Sequence, residues 1–273
     1  MTLRLAGPLL LVGAGKMGGA LLEGWLRQGL DPTAVFIQDP APPPEVQALA
    51  LRHGIAAGDA PDLPAPPSVI VVAVKPGLVD KLLPELEPLI DGSVVLSIAA
   101  GRTLAALSRA LPAGTAVVRA MPNVAASVGR SMTAACANDA VTRDQALECT
   151  MLLEAIGDVM WIDDEAQLDA ITAVSGSGPA YVFLLAECLE EAGRAAGLDA
   201  ALARQLARAT VEGAGELLAR SDLSPRELRE KVTSPQGVTA AALQILMGEE
   251  NAVQDLLTRA VVAAAKRSRE LSS

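Results

Sequence analysis

The residues with the clearest chemical capacity stand in the segment Gly13-Ala14-Gly15-Lys16-Met17-Gly18. This G-x-G-x-x-G spacing suits a phosphate cradle. The first glycine makes a tight turn, the second lets backbone approach a pyrophosphate, and the third lets helix and strand pack closely. The flanks agree: the apolar run at 9–12 reads as a strand, and the pattern from Met17 onward opens a helix whose first N–H groups would face an anion. The segment is therefore expected to hold a dinucleotide. Asp39 lies about twenty residues beyond Gly18, where an acid takes the ribose hydroxyls in NAD enzymes. It would repel a 2′-phosphate, and no Arg or Lys stands in 40–44; that favours NADH and leaves NADPH open. The other reading is that Asp39 simply begins the turn before Pro40.

Further candidates follow later apolar runs. Ala73-Val74-Lys75-Pro76 and Ile98-Ala99-Ala100-Gly101 stand at strand ends, where ligands of open α/β sheets sit. Either is equally readable as an ordinary strand-to-helix turn. Two Ser-Pro helix starts form a contrast. Ser224-Pro225-Arg226-Glu227 carries a capping box, so its donors are satisfied internally. Thr233-Ser234-Pro235-Gln236-Gly237-Val238-Thr239 has Gly237 at the reciprocal position. It is either an anion site or a plain N-cap with water on its remaining donors. Ser175-Gly176-Ser177-Gly178-Pro179 reads as an interdomain hinge or as an active-site wall. His53 is the single histidine and falls at a helix end. The three cysteines, Cys136, Cys149 and Cys188, lack CxxC spacing and read as buried free thiols. No acids stand at metal spacing. With so few conventional catalytic groups, the chemistry must rest on hydroxyls, backbone and cofactor, which suits hydride transfer.

The elements that must position these groups form an α/β pattern. Strands are expected at 8–12, 34–38, 69–74, 94–98, 116–119 and 132–137, with helices such as 17–28, 45–52 and 78–90 between them. This is a Rossmann-like doubly wound domain over 1–163. Residues 39–44 and 61–67 are proline-rich loops. From 164 to 273 an all-helical domain is expected, with helices near 179–196, 199–219, 225–231, 237–248 and 251–270. One of them carries Leu202, Leu206, Ala209, Gly213 and Leu217 on a wide apolar face, and an oligomer interface would cover it. A chain of 273 residues, 51% of them hydrophobic, can bury the cores of two domains. Its net charge of −10 argues against a nucleic-acid surface. Glycines at 13, 15, 18 and 19 interrupt the first apolar run, against a signal peptide, so a cytoplasmic protein is expected.

Taken together, LLVGAGKMGGALLEGWL, VIVVAVKPG, VVLSIAAG, VVRAMPN, AVSGSGPAYVF and LREKVTSPQGVTAAAL resemble pyrroline-5-carboxylate reductases, in order and spacing across nearly the whole chain. The last block is the most specific; it departs from the family pattern at Gln236, where glycine is usual, and at Val238. Another departure is Val124-Ala125 in place of a frequent Thr-Pro. The resemblance implies NADPH or NADH bound along Ala73-Val74-Lys75-Pro76 and Ile98-Ala99-Ala100. It implies pyrroline-5-carboxylate held by Val232, Ser234, Gly237 and Thr239, with the Thr239 hydroxyl at the ring nitrogen. It further implies a homodimer of interlocked helices that can assemble to a decamer. Two rivals are a β-hydroxyacid dehydrogenase-like reductase and a catalytically silent dinucleotide sensor. The first resemblance would require a lysine on the long helix at 179–196, which offers only Arg194. The intact Ser234-Pro235 and Thr239 speak against the second.

Overall fold

Four-residue runs such as Leu9–Val12 and Val69–Val72 have no polar alternation, so they need apolar cover on both faces. The computed structural model, which describes residues 3–59, 63–248 and 252–272, provides that cover. Eight strands form one sheet: β1 (Leu9–Val12), β2 (Val35–Gln38), β3 (Ala56–Gly58), β4 (Val69–Val72), β5 (Val94–Ser97), β6 (Ala116–Met121), β7 (Ser131–Ala137) and β8 (Gly157–Trp161). Their order is β3-β2-β1-β4-β5-β6-β7-β8. The first six in sequence are parallel, while β7 runs antiparallel to β6 and parallel to β8. Along β1, Leu9 and Leu11 enter one core and Leu10 and Val12 the other; Val69, Val71 and Ile70, Val72 divide in the same way along β4.

Helices α1 (Lys16–Arg27), α2 (Pro44–His53) and α5 (Arg143–Glu154) supply side chains to the first core, and α3 (Pro76–Leu82) and α4 (Leu104–Arg109) to the second. Trp25 is fully buried in the first core, and its indole Nε1 donates to the Leu152 carbonyl at 2.8 Å. The chain then continues through α6 (Gln167–Ile171), a π-helical turn (Thr172–Gly176), α7 (Gly178–Ala195), α8 (Ala200–Arg220), α9 (Pro225–Lys231), α10 (Val238–Leu246) and α11 (Ala252–Ser272). It divides into two compact units. One comprises the residues up to Gly176 together with those from Ala265 on, the other Ser177–Ala264. The helical region expected from 164 onward thus gives its first and last turns to the first unit.

Several local expectations need correction. The helix expected over 78–90 stops at Leu82 and continues as 3-10 turns over Leu83–Leu89. Pro84 and Pro88 remove two of the donors an α-helix would use. Strands β3 and β8 escaped the sequence pattern. Ala-Ala-Gly carries no β-branched residue, and it becomes a strand only because the edge of β2 is there to pair with. Of the proline-rich segment 61–67, residues 61 and 62 lie outside the described residues, as does residue 251 of the last helix. Cys136 and Cys149 are buried, but Cys188 is exposed, because it lies on a helix whose apolar side chains have few partners within the chain. Burial pushes the Cys149 thiol up to about 12 and the Cys136 thiol to about 11, so neither is a nucleophile at neutral pH.

The buried indole gives a stability test. Trp25→Ala should cost about 3–5 kcal/mol, read as a lowered denaturation midpoint. A loss below about 1 kcal/mol would contradict the packing described, since surface substitutions stay in that range.

Candidate active site

The order of strands reverses between β1 and β4, and a ligand crevice opens at the carboxyl ends of the strands at such a switch point. The glycine turn leaves β1 there and Ala73-Val74-Lys75-Pro76 leaves β4 there. Gly13 has φ +86, and a Cβ on it would come within 2.7 Å of Val74 Cγ1. A Cβ on Gly18 would collide with the Gly13 carbonyl oxygen, so α1 can lie this close to β1 only without a side chain there. Gly15 has no neighbour within 4 Å of where a Cβ would be. That open side leaves room for a phosphate pair to approach the backbone. Gly15 is the N-cap of α1, which has no side-chain cap and no acid in its first turn, so its start is unopposed for an anion. The residues fit a dinucleotide.

The remaining cofactor candidates gather along the same edge. Lys16 and Met17 open α1. Lys75 is the N-cap of α3 and Pro76 its first residue. Ile98 and Ala99, both buried, and the exposed Ala100 follow β5, the parallel neighbour of β4. Asp39 follows β2, and its carboxylate already serves the backbone. Oδ2 accepts from the Ala14 N–H at 2.7 Å, and Oδ1 from the Ala41 N–H at 2.9 Å. Asp39 therefore makes the turn before Pro40, as one of its two readings has it, and in addition ties down the glycine turn. A carboxylate has about four lone-pair sites, which leaves room for ribose hydroxyls. Beside it a cavity of about 390 Å³ is lined by Gln38, Asp39, Asp59, Leu78, Lys81 and Glu85, among others. Gln38 Nε2 donates to the Asp59 carbonyl at 3.1 Å, whereas its Oε1 is buried and unpartnered.

The two Ser-Pro helix starts differ as their sequences suggest. At α9, Ser224 Oγ accepts from the Glu227 N–H, and the Glu227 carboxylate accepts from the Ser224 N–H at 2.8 Å and from its hydroxyl at 2.7 Å. Those bonds hold the Glu227 carboxyl below its usual range. At α10 the N-cap is Gly237, without any side-chain cap and without an acid in the first turn. Val232 ends α9, and Val232, Ser234 and Thr239 are exposed. Gln236 has φ 60 and is the one non-glycine with positive φ among the described residues.

Comparison with known proteins decides what this arrangement belongs to. Over 96% of its length the chain is 39% identical to a pyrroline-5-carboxylate reductase of Mycobacterium tuberculosis, covering 95% of that relative. With the enzyme of that name from Pseudomonas aeruginosa it shares 36% identity at the same two coverages. The chain belongs to the pyrroline-5-carboxylate reductase family. Residues 165–271 match the model for pyrroline-5-carboxylate reductase dimerisation, and 9–101 the model for NADP oxidoreductase, coenzyme F420-dependent. Among solved structures, the family member from Coxiella burnetii superposes with a TM-score of 0.91 at 31% identity, covering 98% of this chain and all of that one. The Plasmodium falciparum reductase, solved with NADP bound, gives 0.82 at 28% identity, covering 98% and 99%. The chain is an NAD(P)H-dependent oxidoreductase with a dimerisation region.

Membership also explains surfaces that the protomer leaves bare. Phe183, Leu184 and Leu185 of α7 and Leu202, Leu206 and Leu217 of α8 are exposed, while Ala203 and Ala207 of α8 are buried. The stretch Gln167–Ala195 is long and apolar enough by composition to cross a membrane. It lies wholly inside the dimerisation match, so a subunit interface accounts for it.

Two polar clusters had no sequence signal of their own. Asn123 follows β6; its Nδ2 donates to the Ser175 carbonyl at 3.2 Å and to Ser175 Oγ at 3.1 Å, while its Oδ1 accepts from the Ala125 N–H. It thereby fastens the π-helical turn to the strand edge. Arg119 is buried and pairs with Glu165 at 2.6 Å; the same Glu165 oxygen accepts from the Leu104 N–H. The partners stand far apart in sequence, so periodicity cannot reveal them.

Two substitutions probe the turns. Gly18→Val should lower dinucleotide affinity by more than about tenfold, roughly 1.4 kcal/mol, in titration calorimetry. Gln236→Val, a β-branched residue at φ 60, should cost about 1–2 kcal/mol of thermal stability, and Gln236→Gly should not.

Proposed function

We propose that the enzyme reduces the cyclic imine of pyrroline-5-carboxylate to L-proline, the last step of proline biosynthesis, with Thr239 as its catalytic hydroxyl. The observation that carries the assignment of residues is the uncapped start of α10. Where α9 answers its own N-terminus with the Glu227 carboxylate, α10 has none. A substrate carboxylate supplies the missing charge, and the segment Val232, Ser234, Gly237 and Thr239 would receive it. In this reading residues 1–163 bind the dinucleotide and 164–273 dimerise and bind the substrate. Dimers assemble to a decamer, and the protein is cytoplasmic.

Gly13, Ala14, Gly15, Lys16, Met17 and Gly18 would hold the pyrophosphate, with Ala73-Val74-Lys75-Pro76 and Ile98-Ala99-Ala100 along the rest of the cofactor. When bound, the reduced nicotinamide supplies a hydride, which suits an imine carbon that is already electrophilic. The ring nitrogen gains a proton as the C=N bond becomes a C–N bond. Thr239 Oγ1 would hydrogen-bond that nitrogen. A hydroxyl is a weak acid, so its larger contribution is orientation of the ring.

Thr239→Ala should lower kcat by about tenfold or more, the worth of one hydrogen bond of roughly 1.4 kcal/mol, with the dinucleotide dissociation constant unchanged. Thr239→Ser should recover most of the rate. Unchanged kcat in the alanine variant would remove Thr239 from the mechanism.

A further inference from the structure

The last turns of α11 lie within the match to the dimerisation model, yet they belong to the same compact unit as the cofactor turns. One face of the helix seats them there. Ala264 and Ser268 are half-buried and Ala265 is buried, at helical spacing, while Lys266, Arg267, Arg269 and Glu270 are exposed. Ser268 Oγ donates to Asp169 Oδ1 of α6 at 2.6 Å. One turn further on, the Leu271 carbonyl oxygen stands 3.1 Å from where a Cβ on Gly101 would be. Gly101 has φ +73, a conformation that favours glycine, so the end of α11 lies directly on the backbone of the turn that leaves β5. The other sides of that turn are held as well. Arg102 donates to Asp80 of α3 at 2.7 Å and to the Pro76 carbonyl at 3.4 Å, which joins it to the turn after β4. The Leu104 N–H donates to Glu165 at 2.7 Å. Glu165 and Asp169 thus stand on one short segment, one carboxylate holding the start of α4 and the other the end of α11.

We propose that the last turns of α11, fastened by Ser268 to Asp169, position the turn Ile98-Ala99-Ala100-Gly101 against the nicotinamide half of the cofactor. The inference rests on the dinucleotide-reductase reading and deepens it. In the sheet, β2 lies on one side of β1, and β4 and β5 on the other. With the pyrophosphate on the glycine turn and the adenosine ribose toward Asp39, the nicotinamide half falls to the turns after β4 and β5. The adenosine half draws its support from elsewhere, through the Asp39 bond to the Ala14 N–H and the start of α1. Ser268 is a positioning residue: it acts through Asp169 and the end of α11, and meets no reacting atom. Releasing it frees the Leu271 carbonyl from Gly101 and leaves the β5 turn without its outer brace, while the glycine turn keeps its own ties.

The test is titration calorimetry of the intact oligomer with NAD+ and NADP+, each beside its fragment without nicotinamide, ADP-ribose or 2′-phospho-ADP-ribose. Ser268→Ala and Asp169→Ala should each weaken binding of the dinucleotide by about threefold or more, a loss within the worth of one hydrogen bond. Binding of the matching fragment should not change. The double variant should bind no more weakly than either single one, because both remove the same bond. Ser268→Thr, which keeps the hydroxyl, should restore the wild-type affinity. A general loss of fold would instead weaken dinucleotide and fragment together and lower the melting temperature. Equal weakening of dinucleotide and fragment would overturn the proposal, as would dinucleotide binding unmoved in both alanine variants. Fully additive losses in the double variant would also overturn it. All three results leave the reductase assignment standing. Failure of the folded wild type to bind either dinucleotide would overturn both.

Discussion

The close approach of α1 to the end of β1 is the constraint on which the rest of the site depends. Gly18 sits where any side chain would strike the Gly13 carbonyl. Because that space is empty, the first turn of α1 points its unpaired N–H groups at the crevice between β1 and β4. The sheet makes the crevice possible: β1 and β4 are buried on both faces, so they cannot shift to relieve a misfit in the turn. Asp39 adds a lateral tie by accepting from the Ala14 N–H. The glycine turn, proposed to take the pyrophosphate almost wholly on backbone, is thus held by packing on one side and by a charge-assisted bond on the other.

The helical unit works by the opposite logic. Its helices carry more apolar surface than one protomer can bury. Ala203 and Ala207 are enclosed where α8 meets α7, and a Cβ on Gly193 would stand 3.3 Å from that of Ala203. The larger side chains of the same helices stay bare, and burial at about 25 cal/mol per Å² makes such surface a driving force for association. Stability of the second unit and assembly of the oligomer are consequently one problem. In the proposed function this separates the labour of the two halves, a rigid sheet edge for the cofactor and a helix start on an associating unit for the substrate.

Polar groups are used sparingly and mostly to fix backbone. The buried Arg119–Glu165 pair is satisfied further by the Leu104 N–H, and Asn123 spends its amide on Ser175 and Ala125. Neither cluster offers a base or nucleophile, and the buried thiols are protonated. In the proposed function the chemistry falls to a cofactor and a hydroxyl, which suits a reaction whose electrophile needs little activation.

The sequence alone determined much of this. Glycine spacing after an apolar run identified a tight strand-to-helix turn, because only glycine tolerates the positive φ of Gly13 and the contact at Gly18. Unbroken Val and Ile runs identified a doubly covered parallel sheet, and the absence of a carboxylate after Ser234-Pro235 marked α10 as unlike α9. The capping box at Ser224 was equally legible, since it is local. What the tertiary structure decided is long-range. It showed that Asp39 holds the glycine turn and that Asp59 and Glu85 join it around one cavity. It also revealed that proline interrupts the helix after Leu82, that Ala56–Gly58 becomes a strand by pairing, and that Asn123 clamps the π-helical turn. These depend on which backbone lies beside which, and a pattern read along one chain carries no record of its neighbours in space.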